Sequence, residues 1–158
     1  MASTANPIYG VVSVNGVQYL ERWQVLPFQQ NVITNAQVIA PIKIPLPGVY
    51  DFVLKGITRA IIVTATGVDV TSSVRFMVKF GNTDGAIWYS QGGNGGTTDR
   101  VVDSLICGNG QFPYPVLPAL YYGKNAAINL EVQDISLTAT AAPYTINFAF
   151  HGSYLIPV

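Results

Sequence analysis

The sequence predicts an all-β chain folded as one sandwich or barrel, and three observations carry that prediction. Short runs alternate apolar and polar residues or are rich in β-branched residues, and none keeps the 3.6-residue period of a long amphipathic helix. Gly, Pro and Asn close the runs. The 158 residues fit a single domain, 1–158, with no internal repeat and no interdomain linker. On the order of eight short strands separated by turn signals is the pattern of a sandwich or a barrel.

Residues 1 to about 15 carry few core-like positions and read as a short extended arm. Weaker strand runs follow at 17–25 and 33–44, then clearer ones at 50–57 and 60–64. The clearest is 74–80, where Val74, Phe76, Val78 and Phe80 share one face and Arg75 and Lys79 the other. It ends in a turn composition, Gly81-Asn82-Thr83-Asp84-Gly85, and 86–90 returns as the second strand of a hairpin. Over 127–133, Ile128, Leu130 and Val132 oppose Asn129, Glu131 and Gln133; over 144–154, Tyr144, Ile146, Phe148 and Phe150 share a face. Proline has no N–H for a ladder, so Pro41, Pro45 and Pro47 are expected to break one connection and Pro113, Pro115 and Pro118 another. The Gly-rich stretch 91–98 reads as a long exposed loop.

Composition excludes several functions. Hydrophobic residues make up 49% of the chain but charged residues only 10%, against roughly 25% in an average soluble domain. Eight basic and eight acidic residues cancel, which argues against nucleic-acid binding by phosphate neutralisation and against intrinsic disorder. Ten Asn and eight Gln outnumber all the charges, and Ser and Thr add twenty. Such a surface sets up little repulsion between copies and favours association. No run reaches the length of a membrane span, and residues 1–7 lack the basic and apolar regions of a signal peptide.

The inventory for catalysis is thin. His151 is the only histidine, which removes two-histidine metal sites and facial triads. It ends a strand run before Gly152 and reads as structural. Cys107 is the single cysteine; it excludes a disulfide framework and, beside Leu105 and Ile106, reads as a small core residue. No nucleophile-elbow pattern surrounds it or any serine. Asn82-Thr83-Asp84-Gly85 lacks a following acidic ligand for calcium and reads as a turn. Glu131 and Asp134, three apart on a strand, face opposite sides. The glycines at 91–98 are followed by Thr97, Thr98, Asp99 and Arg100 rather than the Lys of a P-loop. Catalytic, cofactor-binding and metal-ligating residues are all expected to be absent, and the chain is expected not to be an enzyme. Tyr114, Tyr121 and Tyr122, beside the second proline cluster, are the candidates for an exposed binding surface.

Several phrases occur in a telling order: Phe28-Gln29-Gln30, Ile42-Lys43-Ile44-Pro45, the stretch from Tyr50 to Ile57, Val74-Arg75-Phe76 leading to Trp88-Tyr89-Ser90, the Pro113–Pro118 cluster, and Tyr144 to Gly152. In this order, over residues 25–155, the chain resembles the small accessory capsid proteins of tailed bacteriophages, the head decoration or cement proteins. The resemblance implies a jelly-roll-like β-sandwich made in the host cytoplasm and placed on the capsid exterior. It also implies self-association as a dimer or trimer, with the major capsid protein as partner and no direct contact with nucleic acid or membrane. The implied role is to bridge capsid subunits and stabilise the head, without catalytic residues. Similar sandwiches in phage tails, connectors and fibres give the alternative location, and a carbohydrate-binding module is a more distant one. The arm and the Pro-rich loops are expected to reach a neighbouring subunit's sheet edge.

Overall fold

The computed structural model describes residues 9–34, 37–46, 48–71, 74–81, 87–89, 100–109, 111–135 and 143–158. Their strands are β1 (Tyr9–Val14), β2 (Val17–Val32), β3 (Val38–Pro45), β4 (Asp51–Val63), β5 (Phe76–Gly81), β6 (Ile87–Tyr89), β7 (Val101–Val102), β8 (Tyr114–Tyr122), β9 (Ala127–Asp134) and β10 (Tyr144–Pro157). A 3-10 turn, Asp103–Leu105, follows β7. One sheet has the order β1-β2-β10-β4-β8 and the other β3-β9-β5-β6, with β7 paired to β5. The pairings within both sheets are antiparallel, so the expected all-β sandwich is present.

Side-chain parity builds the core between the sheets. On β10, Tyr144, Ile146, Phe148 and Phe150 are buried while Thr145, Asn147, Ala149 and His151 are half-exposed. Ile128, Leu130 and Val132 of β9 and Phe76, Val78 and Phe80 of β5 face them from the other sheet. Phe76 and Phe80 meet Phe148 edge to face at centroid separations of 5.9 and 6.0 Å, the geometry that aromatic quadrupoles favour. The β4–β10 ladder shifts between His151 and Gly152, leaving Lys55 as the extra residue of a bulge. A Cβ at Gly152 would lie 2.2 Å from the Val53 carbonyl oxygen and 2.5 Å from the Phe52 ring. Only glycine lets the strands close there.

The structure departs from the sequence expectations at four places. The arm expected over residues 1–15 is, from Tyr9 onward, strand β1 paired with β2; residues 1–8 lie outside the described residues. Asn15 and Gly16 have φ of +51° and +81°, the mirror-image turn whose twist suits a two-residue hairpin. The run expected from residue 33 starts at Val38, because the Gln37 side chain accepts the Ile33 N–H at 2.7 Å and turns the chain first. The runs at 50–57 and 60–64 are one strand, β4. Four of the six prolines lie within strands, Pro41 and Pro45 in β3 and Pro115 and Pro118 in β8; Pro113 lies in the connection before β8 as expected, and Pro47 lies outside the described residues. Both β3 and β8 are edge strands, where an N–H directed away from the single neighbour can be lost without a ladder bond, and both ladders shift register near the prolines. The 74–80 and 86–90 hairpin forms as β5 and β6, whereas Asn82, Thr83, Asp84, Gly85 and the 91–98 loop fall outside the described residues.

β4 is continuous because its one buried cation is neutralised. Arg59 is 6% exposed and points inward; its Nε donates to Oδ2 of Asp103, which is fully buried. The guanidinium also sits 5.9 Å above the Phe76 ring, adding a cation–π contact. Asp103 follows β7 on the opposite sheet, so the pair ties the two layers together. Backbone bonds reinforce it: Arg59 N–H donates to Gly108 O, and Gly108 N–H to Ile57 O, each at 2.9 Å. Removing one partner strands a buried charge and costs about 3–5 kcal/mol, whereas replacing both with apolar residues is close to neutral. Asp103→Ala is therefore expected to lose about that much in urea unfolding, and Arg59→Met with Asp103→Leu to recover most of it.

Candidate functional site

The outer face of the five-stranded sheet carries the candidate site. Register aligns Trp23 of β2 with Ser153 of β10, Ser153 with Val53 of β4, and Val53 with Tyr121 of β8. Trp23 and Tyr121 are 53% and 56% exposed, so one cross-strand row presents two large aromatic rings on the outer face. The neighbouring row runs Val25, His151, Gly56, Pro115. Towards the far end the face turns to amides and hydroxyls: Gln29 Nε2 donates to Asn147 Oδ1 at 2.8 Å, and Thr145 Oγ1 to Asn31 Oδ1 at 2.9 Å. Lys55, the bulge residue between these two rows, is held by Glu21.

Asp51 organises one corner of this face. It accepts the Tyr121 hydroxyl at 2.5 Å and the Lys124 N–H at 2.8 Å. The hydrogen bond to the carboxylate, helped by burial and by its charge, pushes the Tyr121 pKa up to about 12. The ring is thus locked neutral in one orientation. Tyr19, Val49, Tyr50, Asp51, Lys124, Leu155 and Pro157 line an adjoining cleft of about 260 Å³.

His151 is half-buried on the same face. Its Nε2 lies 3.1 Å from the Thr58 hydroxyl, and its ring is 6.3 Å from Trp23. Desolvation lowers its pKa from the ordinary 6.5, so at neutral pH it is an uncharged member of the face. Cys107 is buried, and burial pushes its thiol pKa up, away from the thiolate form that reacts.

Of the three tyrosines expected to form a surface, Tyr121 lies on the outer face. Tyr114 is exposed at the sheet edge but pairs with core-facing Ile57, so the two do not converge. Tyr122 is a correction: it follows Tyr121, takes the opposite parity, and is buried at 2% exposure against the core. Glu131 and Asp134 face opposite sides of β9 as expected, Asp134 buried and Glu131 bonded to Arg100 and Lys79. The expectation missed Trp23 and Asp51. Trp23 stands at the outward parity of the weak 17–25 run, and Asp51 begins the run that carries β4; parity identifies the first and nothing local identifies the second. No protein-family model, curated protein or solved structure matches the chain.

Two measurements check this electrostatic picture. Asp51→Asn is expected to bring Tyr121 ionisation down from about 12 toward the ordinary 10.0, read from its ring-carbon shift by NMR. Because the folded pKa of His151 lies below the unfolded value of 6.5, the unfolded chain binds the proton more tightly. Its contribution is therefore full above that value and is lost as pH falls. Urea midpoints taken between about pH 7.5 and 5.5 are expected to fall less steeply in His151→Gln than in the wild type.

Proposed function

We propose that this chain is a structural virion subunit that docks on the outside of a tailed-phage head, bridging major capsid subunits and stabilising the shell. The observation that carries the reading is the outer face with Trp23 and Tyr121 in one row, bordered by mutually bonded amides and hydroxyls. Interface cores are enriched in such aromatics and depleted of charge. The strand order supports a jelly-roll reading of the sandwich. With β1 and β7 set aside, β2-β10-β4-β8 faces β3-β9-β5-β6, as in the two four-stranded sheets of that architecture, which recurs in viral capsid and lectin domains. Net neutrality suits a subunit present in many copies, since crowding it on a lattice raises no charge repulsion. Modest contacts then add up through avidity.

A second reading, a carbohydrate-binding module, is favoured by the cleft beside Asp51, where the tyrosines Tyr19 and Tyr50 accompany one carboxylate and one ammonium. Aromatic rings with a few polar groups in a concavity are the usual makings of a small-ligand site.

The deciding experiment is binding of the purified chain to empty expanded heads that lack it. Saturable binding at a fixed ratio to the major capsid protein is expected, with Trp23→Ala weakening it about thirtyfold, the size of an interface hot spot. Absence of binding to heads overturns the proposal. Binding to tails or fibres would move the subunit elsewhere on the virion, and glycan binding lost in Tyr50→Ala would establish the second reading.

A further inference from the structure

We propose that β1 is a docking edge for a second copy of this chain, the two β1 strands pairing antiparallel to join two five-stranded sheets into one. A sheet edge offers unpaired N–H and C=O groups to any strand that fits, and proteins normally guard such edges with proline, charge, bulges or brevity. Among the described residues the other three strands that end the two sheet orders are guarded, and the stretch of β2 beyond Arg22, which β1 does not cover, carries Pro27. β3 carries Pro41, Pro45 and a register shift; β8 carries Pro115, Pro118 and another; β6 is three residues long.

β1 has none of these devices. Its sequence Tyr-Gly-Val-Val-Ser-Val contains no proline and no charge, and its pairing with β2 runs without a shift from Tyr9 to Val14. Val14 and Val17 close the two-residue turn, and an antiparallel ladder alternates from that hydrogen-bonded pair. The backbone groups of Ser13, Val11 and Tyr9 are therefore the ones directed away from β2. Val11 is 63% exposed although its register with Leu20, and that of Leu20 with Ile156, puts it on the side of the sheet that faces the core elsewhere.

The same strand from a second copy is the occupant these features select. An uncharged strand on a neutral chain meets its own copy without repulsion. A two-fold axis through Val11 sets Val11 opposite Val11 of the second copy and Ser13 opposite Tyr9, so every outward-directed group meets another outward-directed group. The axis also keeps both Val11 side chains on one face, where each covers the other. This pairing needs no capsid and goes beyond the docking face proposed above; it is tested without heads, so its failure leaves that reading standing.

Sedimentation of the purified chain from about 1 to about 500 µM is expected to show a species of twice the 17.0 kDa chain mass. Hydrogen exchange on the wild type is expected to slow the Val11 and Ser13 amides at least about tenfold at the high end of that range. Val11→Pro removes one outward N–H without touching the β1–β2 ladder and is expected to give a monomer with an unchanged far-ultraviolet spectrum. Val11→Lys, which places a charge on the edge, is expected to do the same. A wild type that stays monomeric throughout, freely exchanging amides at Val11 and Ser13, or a dimer that survives both substitutions, each overturns the proposal.

Discussion

The buried ion pair between Arg59 and Asp103 is the constraint on which the arrangement of the layers depends. Arg59 occupies an inward position on β4, where an aliphatic residue would ordinarily stand, and only 6% of it stays exposed. A charge so placed is tolerable only when its partner and its hydrogen bonds are all in position. Asp103 can be there only if β7 has paired with β5 and the chain has turned back through its 3-10 turn. Gly108 then bonds to β4 on both sides of Thr58, which holds the chain against β4 shortly before β8. Since β8 supplies Tyr121 to the outer face, an interaction in the core positions a ring on the surface.

The outer face shows what a chain does with few charges. Its far end is satisfied by amide–amide and hydroxyl–amide bonds, which hold side chains in place without the hydration that ion pairs keep. Tyr121 is fixed by a carboxylate that also anchors the Lys124 backbone. Rigid aromatic rings on a sheet lose little entropy when a partner covers them, and this makes the outer face an effective contact surface.

Legibility in the sequence followed the strength of alternation. β5, β9 and β10 are buried on one side only in their clear stretches, so period 2 names both the strands and their core residues. β4 looks split in the sequence because Thr58 and Arg59 read as a break; Arg59 belongs to the core only because a partner 44 residues away neutralises it. The prolines were read as interruptions because a sequence does not say which strands are edges, and edge position is what makes them harmless. Asn15-Gly16 between valines is a hairpin signal in the sequence itself, and it turns the expected arm into β1. Tyr114, Tyr121 and Tyr122 could not be sorted without the register, since the ladder shift between Leu54 and Gly56 resets parity within β8. The outer face itself is assembled from four strands distant in the chain, and no local window contains it.

The position of β10 also bears on how the molecule comes to be folded. β10 is inserted between β2 and β4 along nearly its whole length, with Tyr19 opposite Pro157. The five-stranded sheet therefore cannot close until β10 has been synthesised, and β2 and β4 wait without their shared neighbour. Topologies dominated by such distant pairings fold slowly, and chains that wait with open strands are exposed to misassembly. The local β1–β2 hairpin is the part that can form early, so on the nascent chain it is a small ordered unit attached to strands that still lack a sheet.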